Sequence, residues 1–284
     1  MTGLVLLGGT DQIGRCLLDR AAARPGVIVV GRTHPHRPEP RFLPADLAKP
    51  LPGLAEGAPA AIATLPIWLV APHLPALAAA GVGRLVAFGS TSIAVKGGST
   101  AEYDRTLVRR LEHGEAALQE AATATGIGVT LLRPTLVYGV GLDRNVTIIA
   151  RFIERRGFFP LPRDADGLRQ PVHADDLAAA ALAALDSPAA RNRSYMVGGG
   201  ETLPYRKMVM RIFEALERKP RIVTVPGFAS MLALVGRVAK DPSWNAETAR
   251  RMARDQVFDN GPAARDFGYA PRKFLAAGRS DLAI

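Results

Sequence analysis

The first thirty residues constrain this chain most. A continuous apolar run, Leu4 to Leu7, enters the segment Gly8-Gly9-Thr10-Asp11-Gln12-Ile13-Gly14, and a helical stretch from Ile13 leads to a second apolar run, Val27 to Val30. Strand, glycine turn, helix and strand in that order open a parallel α/β sheet, because strands buried on both faces read as unbroken apolar runs. Gly8 permits a tight turn at the strand exit, and Gly14 lets the helix approach the sheet closely.

The rest of the chain extends the pattern. Ala60 to Leu65 reads as a third strand, Ile67 to Ala80 as a helix despite Pro72 and Pro75, and Leu85 to Phe88 as a fourth strand before Gly89-Ser90-Thr91-Ser92. From Glu102 to Ala124, Leu107, Leu111, Gly114, Leu118 and Ala121 form one apolar helix face, stopped by Gly126. Val129 to Leu132 supplies a fifth strand. Beyond Gly139, helices are expected over Asn145 to Arg155, Asp175 to Leu185 and Thr202 to Arg218, with extended pieces at Pro171 to His173, Tyr195 to Val197 and Ile222 to Val225.

Composition bounds the function classes. Over 284 residues, 48% are hydrophobic and 22% charged, which excludes a wholly disordered or coiled-coil chain. The single cysteine, Cys16, excludes an intramolecular disulfide and a cysteine-rich zinc site, and a reducing cytoplasmic setting is expected. The opening apolar run reads as a buried strand rather than a signal peptide, and Phe228 to Val238 is too short to span a membrane, so no membrane partner is expected.

The net charge of +10 favours anionic ligands at long range. Arg151, Arg155, Arg156, Arg163 and Arg169 form the densest basic span, either a clamp for an anionic small-molecule substrate or a charged surface. Lys207, Arg211, Arg218, Lys219 and Arg221 form a second basic group. With 6% aromatic residues and no reader motif, nucleic acid is not an expected partner. His173, Asp175 and Asp176 suggest a metal trio, but the five histidines give no convincing HxH or HExxH arrangement, the His34 and His36 pair sits in a loop without a nearby acidic partner, and no metal is expected.

The glycine turn suits a dinucleotide whose pyrophosphate rests on free helix N–H groups, with contacts at Gly8, Thr10, Gln12, Ile13 and Gly14. Asp11 stands where a small residue is usual and adds a carboxylate beside the expected phosphate. Either its side chain turns away or binding is weakened. An NAD site of this type carries an acidic residue about 20 residues beyond the turn to hold the ribose hydroxyls. This chain has Arg32 after its second strand, with Arg37 and Arg41 behind, so NADP is expected in preference to NAD.

These segments together resemble the extended short-chain dehydrogenase/reductase superfamily, in its NAD-dependent epimerase/dehydratase branch, over nearly the full length. The landmarks are GGTDQIG; Asp46-Leu47; Ala63 to Pro66; FGSTSIAVKG; RPTLVYG from Arg133 to Gly139; PVHADDLAAA from Pro171 to Ala180; and FGYAPRKF from Phe267 to Phe274. The resemblance implies a doubly wound Rossmann domain over 1–140, completed by 171–197, and a smaller interleaved substrate-binding region over 141–170 and 198–284. It implies cofactor contacts at Asp46, Leu47, Thr64, Leu65, Pro66 and Arg133, and substrate contacts at Ser92, Tyr138, Arg151 and Arg169. It also implies a homodimer through the long helix and its neighbour, and an oxidoreductase, epimerase or dehydratase acting on a small substrate such as a nucleotide-sugar.

Chemistry in that family uses a Ser or Thr, a Tyr, and a Lys four residues after the Tyr. Ser92 and Thr91 supply the first. The pair is missing: counting back from Glu115 puts Leu111 and Leu107 at the Lys and Tyr positions, and the residue four beyond Tyr103 is again Leu107. Leucine cannot exchange a proton. The expectations are therefore an atypical enzyme using Ser92, Thr91 and Tyr103, with Lys96, Arg109, Arg110 or Tyr138 as further donors, or a catalytically impaired NADP-binding regulatory or scaffolding protein.

Overall fold

Seven parallel strands form the main sheet of the computed structural model, which describes residues 3–22, 24–34, 40–51, 53–54 and 57–284. They are β1 (Leu4–Leu7), β2 (Val27–Gly31), β3 (Arg41–Pro44), β4 (Ala60–Ala63), β5 (Arg84–Phe88), β6 (Gly128–Pro134) and, later in the chain, β11 (Ser194–Val197). Their order is β11-β6-β5-β4-β1-β2-β3, with Leu4 to Leu7 in register with Val27 to Val30. β1, β4 and β5 are buried throughout, as strands covered on both faces must be. Order reverses between β1 and β4, which makes a crevice at the strands' carboxyl ends.

One face is covered by α1 (Gln12–Ala21) and α6 (Ala174–Asp186), which pack together with Leu17, Leu18, Leu177 and Leu185. The other carries α2 (Leu74–Ala79) and α4 (Glu102–Thr125), which bury Leu74, Leu77, Leu111 and Leu118 against the sheet. Each such leucine contributes roughly 1.5–3 kcal/mol of burial. Arg20 of α1 donates to both oxygens of Asp175 at 2.6 and 2.8 Å, and Arg272 reaches Asp175 and Asp176, so the distant tail is tied to α6 and, through the shared Asp175, linked to α1.

The helix expected over Ile67 to Ala80 is instead two single 3-10 turns, Ile67–Leu69 and Ala71–His73, followed by α2. Pro72 and Pro75 lack the N–H that a continuous helix needs. β3 has no counterpart in the sequence reading: it is a short edge strand of mostly exposed and half-buried residues, without the continuous apolar signal.

A third hydrophobic cluster lies outside the sheet. It joins α5 (Val146–Arg156), α7 (Tyr205–Ala215) and the tail around Phe274 through Ile149, Ile153, Ile212 and Phe213. Short pairs complete the region. β7 (Val137–Tyr138) pairs with β10 (Val172–His173), β9 (Leu168–Arg169) with β12 (Leu203–Pro204), and β8 (Phe159–Leu161) with β13 (Ile222–Thr224). Three further helices follow: α8 (Phe228–Val238), α9 (Ala246–Arg251) and α10 (Gly261–Phe267). Among the described residues no helix is long and apolar enough to cross a membrane.

Candidate functional site

Two cavities open at the carboxyl ends of the sheet strands, and the glycine turn stands between them. The first, about 380 Å³, is lined by Gly8 to Asp11 after β1, Gly31 to Thr33 after β2, Asp46 to Ala48, and Thr64 to Pro66 after β4. The second, about 450 Å³, is lined by Ser90 to Ser92 after β5, Thr135 to Val137 after β6, Lys96, Tyr103, and residues of the later chain including Arg169, Trp244 and Arg251. Neighbouring residues divide the two: Asp11 lines the first and Gln12 the second.

The turn has little spare room. Gly8 has φ +99°, and a Cβ there would stand 2.4 Å from the Thr64 hydroxyl. A Cβ on Gly14 would lie 2.7 Å from the Gly9 Cα. Ile13 and Gly14 present their N–H groups at the start of α1, and the Asp11 carboxylate accepts both at 3.0 Å through Oδ1. Its Oδ2 accepts from the Thr64 hydroxyl at 2.5 Å. Asp11 therefore turns onto the helix N-terminus and caps it, an arrangement any short acceptor at this position favours.

Of the residues expected at a cofactor, Gly8, Thr10, Arg32, Asp46, Leu47, Thr64, Leu65 and Pro66 line the first cavity. Gln12 lines the second, while Ile13 and Gly14 are buried beneath the turn. Arg133 lines neither cavity: its guanidinium grips Glu115 with contacts of 2.6 and 3.0 Å beneath Gly89 and is a structural clamp. Arg32 is exposed at the cavity rim. Arg37 and His36 lie outside the described residues.

In the second cavity, α3 (Ser92–Lys96) is a single turn, so Ser92 and Lys96 share one face. The Thr91 hydroxyl donates to the Pro134 carbonyl at 2.9 Å and is buried, leaving Ser92 the more available hydroxyl. Lys96 Nζ lies 5.7 Å from the Tyr103 ring centroid, within cation–π range, and 3.0 Å from Asp104. Asp104 also accepts from Ser99 at 2.9 Å and from Arg251 at 2.5 Å. Burial alone pushes the Asp104 carboxyl up, but the bonds from Lys96, Ser99 and Arg251 outweigh it and hold it below the usual carboxylate range.

Several expected substrate contacts have other partners. Tyr138 is fully buried, packs against His173 and Phe274, and accepts from the Leu275 N–H at 3.0 Å; it lines neither cavity, and burial pushes its hydroxyl up. Arg151 is an exposed α5 residue that donates to the Gly141 carbonyl at 3.2 Å. Arg169 stands in the cavity wall, but its guanidinium donates to the carbonyls of Leu168, Arg254 and Arg251. Burial lowers it to about 10, so it remains charged at neutral pH. Arg109 is paired with Glu102, and Arg110 covers the Trp68 ring at 4.4 Å.

Leu111 belongs to the core cluster behind the sheet, half-buried Leu107 packs against it, and neither lines a cavity. His173 caps α6, accepting from Asp175 N at 3.1 Å; burial, with Arg272 nearby, lowers its ring below the ordinary histidine range. Among the described residues no group of three or more His, Cys, Asp or Glu is placed to hold a metal. The contributions of Arg251, Trp244 and Gln256 to the wall of the second cavity, and of Asp104 in holding Lys96 and Arg251 there, were not anticipated. Asp104 and Arg251 are 147 residues apart, and no local pattern links them.

Residues 69–198 match the model of the NAD dependent epimerase/dehydratase family. An uncharacterized protein, y4nG, of Sinorhizobium fredii is 30% identical over 161 residues, covering 56% of this chain and 40% of that relative. The chain spans about half or less of the length of the curated relatives it matches. Similar solved folds include MoeE5 in complex with UDP-glucose and NAD, with TM-score 0.71, 17% identity, and coverage of 99% of this chain and 97% of that one. They also include DesIV, a dTDP-glucose 4,6-dehydratase of Streptomyces venezuelae with NAD and TYD bound, with TM-score 0.71, 17% identity, and coverage of 99% and 96%. MoeE5 also holds NAD beside UDP-glucuronic acid. These structures overturn the preference for NADP drawn from Arg32. A single exposed arginine on a cavity rim meets no requirement for a ribose phosphate, because solvent satisfies it equally well.

Proposed function

We propose, on the premise of that family match, that this chain binds NAD across the two cavities and acts on a small nucleotide-sugar-like substrate as an epimerase, dehydratase or related oxidoreductase. The observation that carries this reading is the meeting of the two cavities at the N-terminus of α1, in the crevice where strand order reverses. The first cavity suits the adenosine half, with Asp46 and Leu47 at its wall. The second suits the nicotinamide end and the substrate, with residues 141–170 and 198–284 forming the substrate-facing unit. NAD, when bound, supplies the hydride acceptor.

The chain's own groups then divide the work. Ser92 orients the substrate oxygen by hydrogen bonding, and the Tyr103 hydroxyl exchanges its proton. Lys96 steadies the Tyr103 ring from its face, and Asp104 holds Lys96. A second reading, a binding protein with impaired catalysis, is favoured by the buried Leu111 and half-buried Leu107 standing where a proton-transfer pair is expected. A homodimer through α4 and its neighbour accompanies either reading.

Titration with NAD and NADH, followed by assay of NADH formation and sugar epimerisation with nucleotide-sugars, tests the proposal. Saturable binding with turnover that falls in Ser92→Ala supports the enzyme. Binding without turnover supports the second reading, and no binding refutes both.

A further inference from the structure

We propose that Asp11 is a built-in competitor of the cofactor's diphosphate, lowering dinucleotide affinity so that the cofactor exchanges with solution. This rests on reading the paired cavities as the NAD site.

A diphosphate crossing from the first cavity to the second must pass the start of α1, whose free N–H groups and helix field make it the natural anion seat. Those donors already have an anion. Asp11 Oδ1 takes the N–H groups of Ile13 and Gly14, and the Thr64 hydroxyl, reaching across from the end of β4, holds Oδ2. The carboxylate is part of the wall of the first cavity, beside Gly8 and Thr10.

Two anions cannot share these donors at full strength, and at close range they repel. A diphosphate must therefore displace the carboxylate, breaking the cap and the Thr64 bond, or bind beside it without the helix donors. Either route weakens binding of every phosphate-bearing ligand and leaves a phosphate-free nucleoside unaffected. A cofactor held against such competition suits net oxidation or reduction, in which each turnover releases spent cofactor, better than an internal redox cycle that returns it.

Two variants separate charge from capping. Asp11→Asn removes the charge and keeps a capping oxygen; Asp11→Gly removes both. Calorimetric Kd values would be measured for NAD, ADP and adenosine, with circular dichroism melts to establish folding. The expected result is NAD and ADP binding tightened at least about tenfold in Asp11→Gly and partly in Asp11→Asn, with adenosine changed by less than about twofold. Unchanged or weaker NAD binding in both folded variants overturns the proposal. Equal tightening of adenosine also overturns it, since that reports only a roomier cavity. If wild type and variants bind adenosine but no phosphate-bearing ligand, the competition fails as an explanation. If none binds any of the three, the cofactor reading itself fails.

Discussion

Replacing Asp104 with alanine is the sharpest test of how the second cavity is built. The Asp104 side chain is 1% exposed and meets Lys96 and Arg251, themselves 18% and 11% exposed. Removing the carboxylate leaves two cations facing each other without their counter-ion and strips the Ser99 hydroxyl of its acceptor. Breaking a buried ion pair from one side costs about 3–5 kcal/mol. For a chain of this size that corresponds to a fall in Tm of roughly 5 to 8 °C.

Urea unfolding followed by tryptophan fluorescence and circular dichroism measures the loss. The double variant Asp104→Ala/Arg251→Met, which removes one uncompensated cation, should recover part of it. The pH dependence has a definite sign. A carboxyl held below its unfolded value of about 3.9 contributes stability that is fully present above that pH and disappears as pH falls through the folded value. Wild type and Asp104→Ala should therefore converge in acid. A loss below about 1 kcal/mol at pH 7, the worth of a solvated surface pair, would refute the account.

Tyr103→Phe should lower kcat about 100-fold while leaving the NAD Kd unchanged, because it removes only the hydroxyl; unaltered turnover would remove Tyr103 from proton transfer. Gly14→Ala puts a methyl 2.7 Å from the Gly9 Cα, where only backbone can yield. It should cost about 1–3 kcal/mol and abolish dinucleotide binding, and a melt and titration matching wild type would contradict the packing argument.

The sheet was legible because continuous apolar runs between glycines carry a local signal. β1, β2, β4, β5 and β6 all fall on such runs; the helix at Glu102 to Thr125 follows from one-sided periodicity, and that at Ala174 to Asp186 from the acidic pair Asp175 and Asp176 opening it. β3 was not legible, since an edge strand half in solvent needs no apolar run. The break at Ile67 to His73 is readable in principle, since the donors that Pro72 and Pro75 lack outweigh the apolar pattern that suggests a continuous helix. At the candidate site, the glycine turn and Arg32 are readable from their places after β1 and β2, whereas Asp46, Leu47, Thr64, Leu65 and Pro66 are implied by the family resemblance. The far wall, Trp244, Arg251 and Gln256, reaches the cavity only through tertiary folding.

Arginine was the residue type most prone to misreading. A guanidinium in a loop invites assignment to a phosphate, yet here many are spent on other segments. Arg20 pairs with Asp175 across 155 residues, Arg133 with Glu115, Arg251 with Asp104 and Arg272 with Asp175 and Asp176, while Arg169 donates to three carbonyls. Such partners are invisible to any local window, so the number of arginines overstates the guanidiniums free for a ligand, although the net charge of +10, which already subtracts the carboxylates, is unchanged by the pairing. On the dinucleotide reading, anion binding then depends chiefly on the backbone N–H groups at the start of α1. Those are the donors Asp11 engages, so one side chain in the glycine turn has more leverage over phosphate affinity than the arginines around the cavities.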